Sequence, residues 1–213
     1  MKAVERILIS DNWIAIVFLI SMLILFFLKM FSAEKMRGYS LSIFNKGFVE
    51  ITAQEKQPIL SLFDTVFRSF SFLNISLIIY FSMKYFQDSQ GFYFIEYTKV
   101  TTFVLVYMIL RNTIEFLFMR ILEIEKSLNY FFLTKRSYLY SISIGLFILN
   151  VIYFYGFQSF ELLYAGVVFL FSARFVLIVL HNKNLIIKEL FYFILYLCTL
   201  EIAPLFVLFK LIR

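Results

Sequence analysis

Six ionisable side chains interrupt stretches that are otherwise apolar enough to cross a bilayer: Asp64, Arg68, Arg111, Glu115, Arg174 and Glu201. A charge near the bilayer centre costs about 2.5–3.5 kcal/mol on insertion scales, so such residues pair, line water or serve a function. Asp64 and Arg68 are four apart, as are Arg111 and Glu115, so each couple shares one face of its own helix. Arg174 and Glu201 have no same-helix partner and lie on consecutive apolar runs, which makes them the natural interhelical pair. Three carboxylates against three guanidiniums can form a neutral layer. One reading of that layer is structural glue that holds helix register. The other is functional: a proton or anion path, or a docking site for a partner helix.

The last of these charges has an unusual setting, "FILYLCTLEIAPLF". Pro204 cannot donate to the carbonyl of Leu200, and its ring presses on that turn. A carbonyl freed beside Glu201, with Thr199 close by, predicts a kinked polar hinge facing the bundle interior.

Other chemistry finds little to work with. The sequence has no HExxH, GxSxG, phosphate-binding glycine loop or CxxC. His181 is the single histidine and is read as an interfacial residue; Cys198, the single cysteine, is read as packing. A metal site drawn from Glu115, Glu201 and His181 is opposed by the neighbouring arginines, so neither metal nor cofactor is expected.

The elements that must position these charges are membrane helices. Hydrophobic residues make up 62% of the chain and charged residues 16%, with a mean hydropathy of +0.87. A soluble domain of that balance would expose too much apolar surface to stay monomeric. The apolar runs are long and continuous, which disfavours a transmembrane β-barrel. The fold class expected is all-α: a polytopic helix bundle of about six spans in one integral membrane domain. The spans fall at roughly 13–28, 62–83, 100–119, 139–157, 162–180 and 191–211. The fourth and fifth are joined tightly around 158–161, which implies an antiparallel hairpin. Residues 29–60 form a cytoplasmic or interfacial connection, and its "YSLSIFNKGFVEI" suits a segment lying on the membrane. Lys2 and Arg6 precede the first run, but Asp11 breaks the order of a signal peptide, so this run is read as a retained helix.

With the N-terminus outside, the inner connections 29–61, 120–138 and 181–190 hold eleven basic residues against six outside. That bias places both termini in the periplasm. Trp13, Tyr85, Tyr93, Tyr97, Tyr153, Tyr155 and Tyr164 then crowd the outer boundary, where amphipathic rings prefer to sit. Counted from the inner ends at about 1.5 Å per residue, Arg68 and Arg174 lie roughly 9 Å deep, Arg111 roughly 12 Å and Glu201 roughly 15 Å. Asn74, Asn112, Thr113 and Ser172 are near enough in sequence to serve leftover donors and acceptors. Gly166 and Ala173 would admit a neighbouring helix beside Arg174. The net charge of +6 is spread along membrane flanks and is no nucleic-acid signal.

The basic stretch "EKMRGYSLSIFNKGF", the Arg-bearing fifth span and the terminal "FYFILYLCTLEIAPLFVLFK" resemble an uncharacterised family of integral inner-membrane proteins of Bacteroidota, a domain of unknown function. The resemblance covers most of the chain and is most specific at Tyr196, Cys198, Glu201 and Pro204. It implies location and architecture and no activity. The function expected is a non-enzymatic subunit or accessory factor of a cell-envelope complex of secretion, assembly or motor type. Its partners are the lipid bilayer and other membrane proteins, with no nucleic acid. The alternative is a small transporter or proton-coupled carrier using Glu201 and Arg174. A third reading is an enzyme acting on lipid-linked substrates at the inner face.

Overall fold

A computed structural model describes residues 12–42, 62–87, 93–121 and 125–181, with the backbone alone for 115–121, 125–130, 132 and 157. Among the described residues there are six α-helices and no strand: α1 (Asn12–Phe31), α2 (Ala33–Ser40), α3 (Leu62–Phe86), α4 (Phe94–Ile121), α5 (Glu125–Ile152) and α6 (Phe160–His181). Four stretches are long and apolar enough to cross a membrane: Asn12–Phe31, Leu62–Phe86, Leu133–Gly156 and Phe160–His181. They mark the chain as a membrane protein and contain or overlap four of the six runs expected. The described part of α4 falls short, because Lys99, Arg111, Asn112 and its threonines lower the hydropathy. The run 191–211, with Glu201 and Pro204, lies outside the described residues.

Local chemistry sets the breaks between helices. Ser32 separates α1 from α2 with an extended backbone, and its hydroxyl accepts from the Lys35 N–H at 3.4 Å. That bond satisfies one of the N–H groups orphaned at a helix start. At the α5–α6 hairpin the helix widens into a π turn, Tyr153–Phe157, and Gln158 takes a left-handed conformation that reverses the chain. Ser159 then accepts through its carbonyl from the Leu163 N–H.

Helix α5 is central and packs on α2, α3 and α6, while α1 and α4 pack on α3. Between apolar helices in lipid, close van der Waals fit replaces hydrophobic burial as the main attraction. Glycines permit that fit on both sides of the α5–α6 contact. A Cβ added at Gly166 would stand 2.8 Å from Leu149 Cδ1, and one added at Gly145 would stand 3.1 Å from Leu170 Cδ1. Each leucine thus fills the space left by a glycine opposite, and the helix admitted beside Gly166 is α5.

Aromatic clusters close the two ends of the bundle. At one end Trp13 of α1 packs edge-on against Tyr80 of α3 and lies 5.0 Å from the Tyr97 ring of α4. At the other, Tyr140 of α5 stacks on Phe67 of α3 at 4.5 Å, with Tyr39 of α2 against both. Tyr39 opens the segment expected to lie on the membrane surface, yet it is buried in the bundle. The rest of that segment beyond Ser42 lies outside the described residues.

Candidate functional site

The helices joined at the Tyr140 end also carry the polar layer. Its interhelical bonds run from side chains to main-chain carbonyls. Ser42 donates to Ser137, Ser141 to Ser40 and Tyr140 to Asp64, at 3.0, 2.7 and 3.3 Å. Deeper in the bundle, Asn150 of α5 donates to the Asn74 carbonyl of α3 at 3.1 Å. A helix carbonyl keeps a second lone pair after its own ladder bond. These side chains therefore join neighbours without breaking either backbone ladder.

Beside this layer four helices enclose a small recess. Arg68 comes from α3, Arg111 and Asn112 from α4, Lys135, Arg136 and Tyr140 from α5, and Arg174 from α6. The cavity measures about 50 Å³, room for a few waters or one small anionic group. Helical spacing explains the convergence. On α4 Met108, Arg111 and Asn112 share a face at i, i+3 and i+4, and on α5 Arg136 and Tyr140 do so at i and i+4. Among the described residues five of the lining side chains are basic and none is acidic. Like charges a few ångströms apart repel by roughly 2–4 kcal/mol per pair at the effective dielectric of a protein. Such a group is stable only with acceptors or counter-charges beside it, and Arg111, Lys135, Arg136 and Arg174 each have interaction partners.

Burial sharpens the point. Arg174 is buried and donates through Nη2 to the Lys135 carbonyl at 3.4 Å. Lys135 is itself buried. Arg68 Nη2 is buried with no hydrogen-bond partner among the described residues. A guanidinium nitrogen withdrawn from solvent in this way has spare capacity for an acceptor.

The structure brings together the three arginines singled out in the sequence, Arg68, Arg111 and Arg174. Asp64 begins the same helix one turn before Arg68 and is half-buried. Glu115 lies on α4 one turn beyond Arg111, with its side chain outside the described residues; Glu201 and Pro204 lie outside them altogether. Of the supporting polar residues Asn112 lines the recess, whereas the Asn74 side chain donates to the Phe70 carbonyl, Thr113 bonds the Ile109 carbonyl and Ser172 is exposed.

Lys135 and Arg136 are an addition. The sequence reading put them in a connection, 120–138, because hydropathy rises only after residue 138. The structure corrects this: α4 runs to Ile121 and α5 starts at Glu125. The available signal was the repeat of small polar residues, Thr134, Ser137 and Ser141, which continues the helical face one turn earlier.

His181 is tied to Tyr138, whose hydroxyl lies 2.6 Å from His181 Nδ1. No group of three metal-ligating side chains occurs among the described residues. At the opposite end Lys84 of α3 is buried, paired with Glu96 of α4 and 4.9 Å from the Tyr93 ring centroid. Tyr80 OH accepts from the Tyr93 N–H at 2.7 Å in the same cluster. This arrangement clamps the α3–α4 hairpin.

A family model described as a domain of unknown function, DUF4271, matches residues 14–212. No curated protein and no solved structure gives a match to the chain.

Proposed function

This chain belongs to the DUF4271 family, and from that premise we propose that it is a non-enzymatic integral membrane subunit or accessory factor of a cell-envelope complex. It docks partner helices at the buried polar layer, with the recess taking one polar group of the partner. The observation that carries this reading is the small size of the recess that the polar layer opens between four helices. Five cations from α3, α4, α5 and α6 surround about 50 Å³, whereas pockets that enclose whole metabolites run to roughly 300–1,000 Å³. A space that small suits a single group presented by a larger molecule.

The proposed setting is the bacterial inner membrane with six spans, adding α4 and the run 191–211 to the four apolar helices. In this arrangement the recess end faces the cytoplasm and both termini face the periplasm. What supports the orientation is the collection of Lys29, Lys35, Arg37 and the recess cations at one end, with Trp13, Tyr85, Tyr93 and Tyr155 at the other.

Purification of the intact chain in mild detergent, with identification of co-purifying proteins, tests the docking reading. A stoichiometric partner that is lost on Arg111→Gln supports it; a chain that purifies alone from native membranes, folded, rejects it. The second reading, a small anion or proton-coupled carrier, draws on the position of the recess between apolar helices. Anion or proton flux into liposomes holding the purified chain would establish it instead.

A further inference from the structure

One buried serine differs from the rest. Ser42, Ser71, Ser76, Ser137, Ser141 and Ser143 are buried, and each donates to a main-chain carbonyl. Ser21 of α1 is equally buried, yet its Oγ has no hydrogen-bond partner among the described residues. Two amide oxygens share that condition, Asn74 Oδ1 on α3 and Asn150 Oδ1 on α5, both on fully buried side chains. Their amide nitrogens are engaged: Asn74 Nδ2 donates to the Phe70 carbonyl at 2.8 Å, and Asn150 Nδ2 to the Asn74 carbonyl at 3.1 Å. Flipping either amide would set its oxygen against a carbonyl, so the oxygens are the ends that need donors.

Packing brings the three oxygens to one junction. On α1 Ser21 shares a face with Ile14, Val17 and Phe18, which join one core cluster with Leu77 and Phe81 of α3. Asn74 precedes Leu77 by three residues and Phe81 by seven, so it lies on the α3 face turned to α1. Trp13 packs on Tyr80; from that contact Ser21 is roughly 12 Å along α1 and Asn74 roughly 9 Å along α3, at about 1.5 Å per residue. The two residues therefore meet at one level. On α5 Asn150 lies on the face between Phe147 and Phe154, and both rings touch the Phe18 ring of α1. Ser21 is nine residues into α1 and Asn74 is the middle residue of α3. The junction is thus at the centre of the spans, where a polar group without a partner is costly because lipid offers none.

The balance of donors and acceptors selects the ligand. The two amide oxygens only accept, and the one hydroxyl can donate once, which leaves an acceptor unserved. A water molecule completes the set, because it donates one hydrogen to each amide oxygen and accepts from the Ser21 hydroxyl. A metal cation at this depth would need more oxygens than these three, and the Asn74 carbonyl already accepts from Asn150. We propose that a single buried water joins Ser21, Asn74 and Asn150 and ties α1 to the α3–α5 pair at mid-membrane. It gives α1, whose other buried residues are apolar, a polar anchor. The site is separate from the recess and independent of the docking reading.

The test follows the melting temperature of the full chain in detergent through a double-variant cycle. Ser21→Ala should lower it by about 2–4 °C, the shift for one lost hydrogen bond in a chain of this size. Asn150→Leu should lower it further, because it removes both the water's acceptor and the direct bond to Asn74. Ser21 and Asn150 share no direct bond, so coupling between them reads the water. With the water present, adding Ser21→Ala to Asn150→Leu should change the melting temperature little. Fully additive shifts overturn the proposal. Should Asn150→Leu not fold, Ser21→Asn probes the same space. Its amide can replace the water and should melt no lower than Ser21→Ala; a lower melting temperature shows that there is no room for a water and rejects the site. Melts in sodium chloride and choline chloride cover the cation. A rise specific to sodium that Ser21→Ala abolishes assigns the junction to a metal ion and overturns the water.

Discussion

Arg174 on α6 donates through Nη2 to the main-chain carbonyl of Lys135 on α5, 3.4 Å away, and the side chains of both residues line the same recess. The bond crosses a helix interface already closed by Gly145 against Leu170 and Gly166 against Leu149. The guanidinium is thus fixed from below by backbone while it stays part of a basic group. A buried cation held in this way is sensitive to loss of any acidic partner.

The expected acidic partner of Arg174 is Glu201. Arg174→Leu and Glu201→Leu should each lower the yield of folded protein, because removing one member of a buried pair costs about 3–5 kcal/mol. The double variant should recover most of that loss. Folded yield by size-exclusion chromatography in detergent reads the result, and additive losses would show that the two residues are uncoupled.

Gly166→Val should destabilise the bundle by about 1–3 kcal/mol, the range for overpacking a close contact. The reason is that even a Cβ there meets both Leu149 methyl carbons, at 2.8 and 2.9 Å. Adding Leu149→Ala should restore much of the stability. Thermal denaturation of the single and double variants checks the size complementarity; a double variant no better than Gly166→Val rejects it.

At the opposite end, Glu96→Gln should harm the protein more than Lys84→Met. The first leaves a buried ammonium without its counter-charge, and the second removes the ammonium altogether. Methionine keeps the apolar stem packed near the Tyr80 and Tyr93 rings. A reversed order of melting temperatures would mean that water, and not Glu96, satisfies Lys84.

Six spans with an outside N-terminus require a reporter fused after Arg213 to read as periplasmic. A reporter inserted near Lys126, between α4 and the apolar part of α5, should read as cytoplasmic. Two cytoplasmic readings would exclude the six-span arrangement.

The amino-acid pattern alone determined the helical class and the existence of the main apolar helices. Runs such as 13–28 and 162–180 are so apolar that no other solvent than lipid suits them, and burial of the backbone's polar groups then demands helix. It also singled out Arg68, Arg111 and Arg174, since a charge in an apolar run is conspicuous in one dimension. Pairing rules such as i, i+4 act within a helix and are legible there as well. What tertiary structure decided was convergence. Lys135 and Arg136 looked like flanking cations because hydropathy averages over both faces of a helix, whereas the recess depends on one face. Asn74 was near the charged set in sequence, yet its side chain donates to Phe70 and its main-chain carbonyl accepts from Asn150, seventy-six positions away. Gly166 gained its role only when Leu149 was placed opposite. Which side chains meet across helices follows from rotation and depth of each helix against its neighbours, and those are set by packing and not by any local residue pattern.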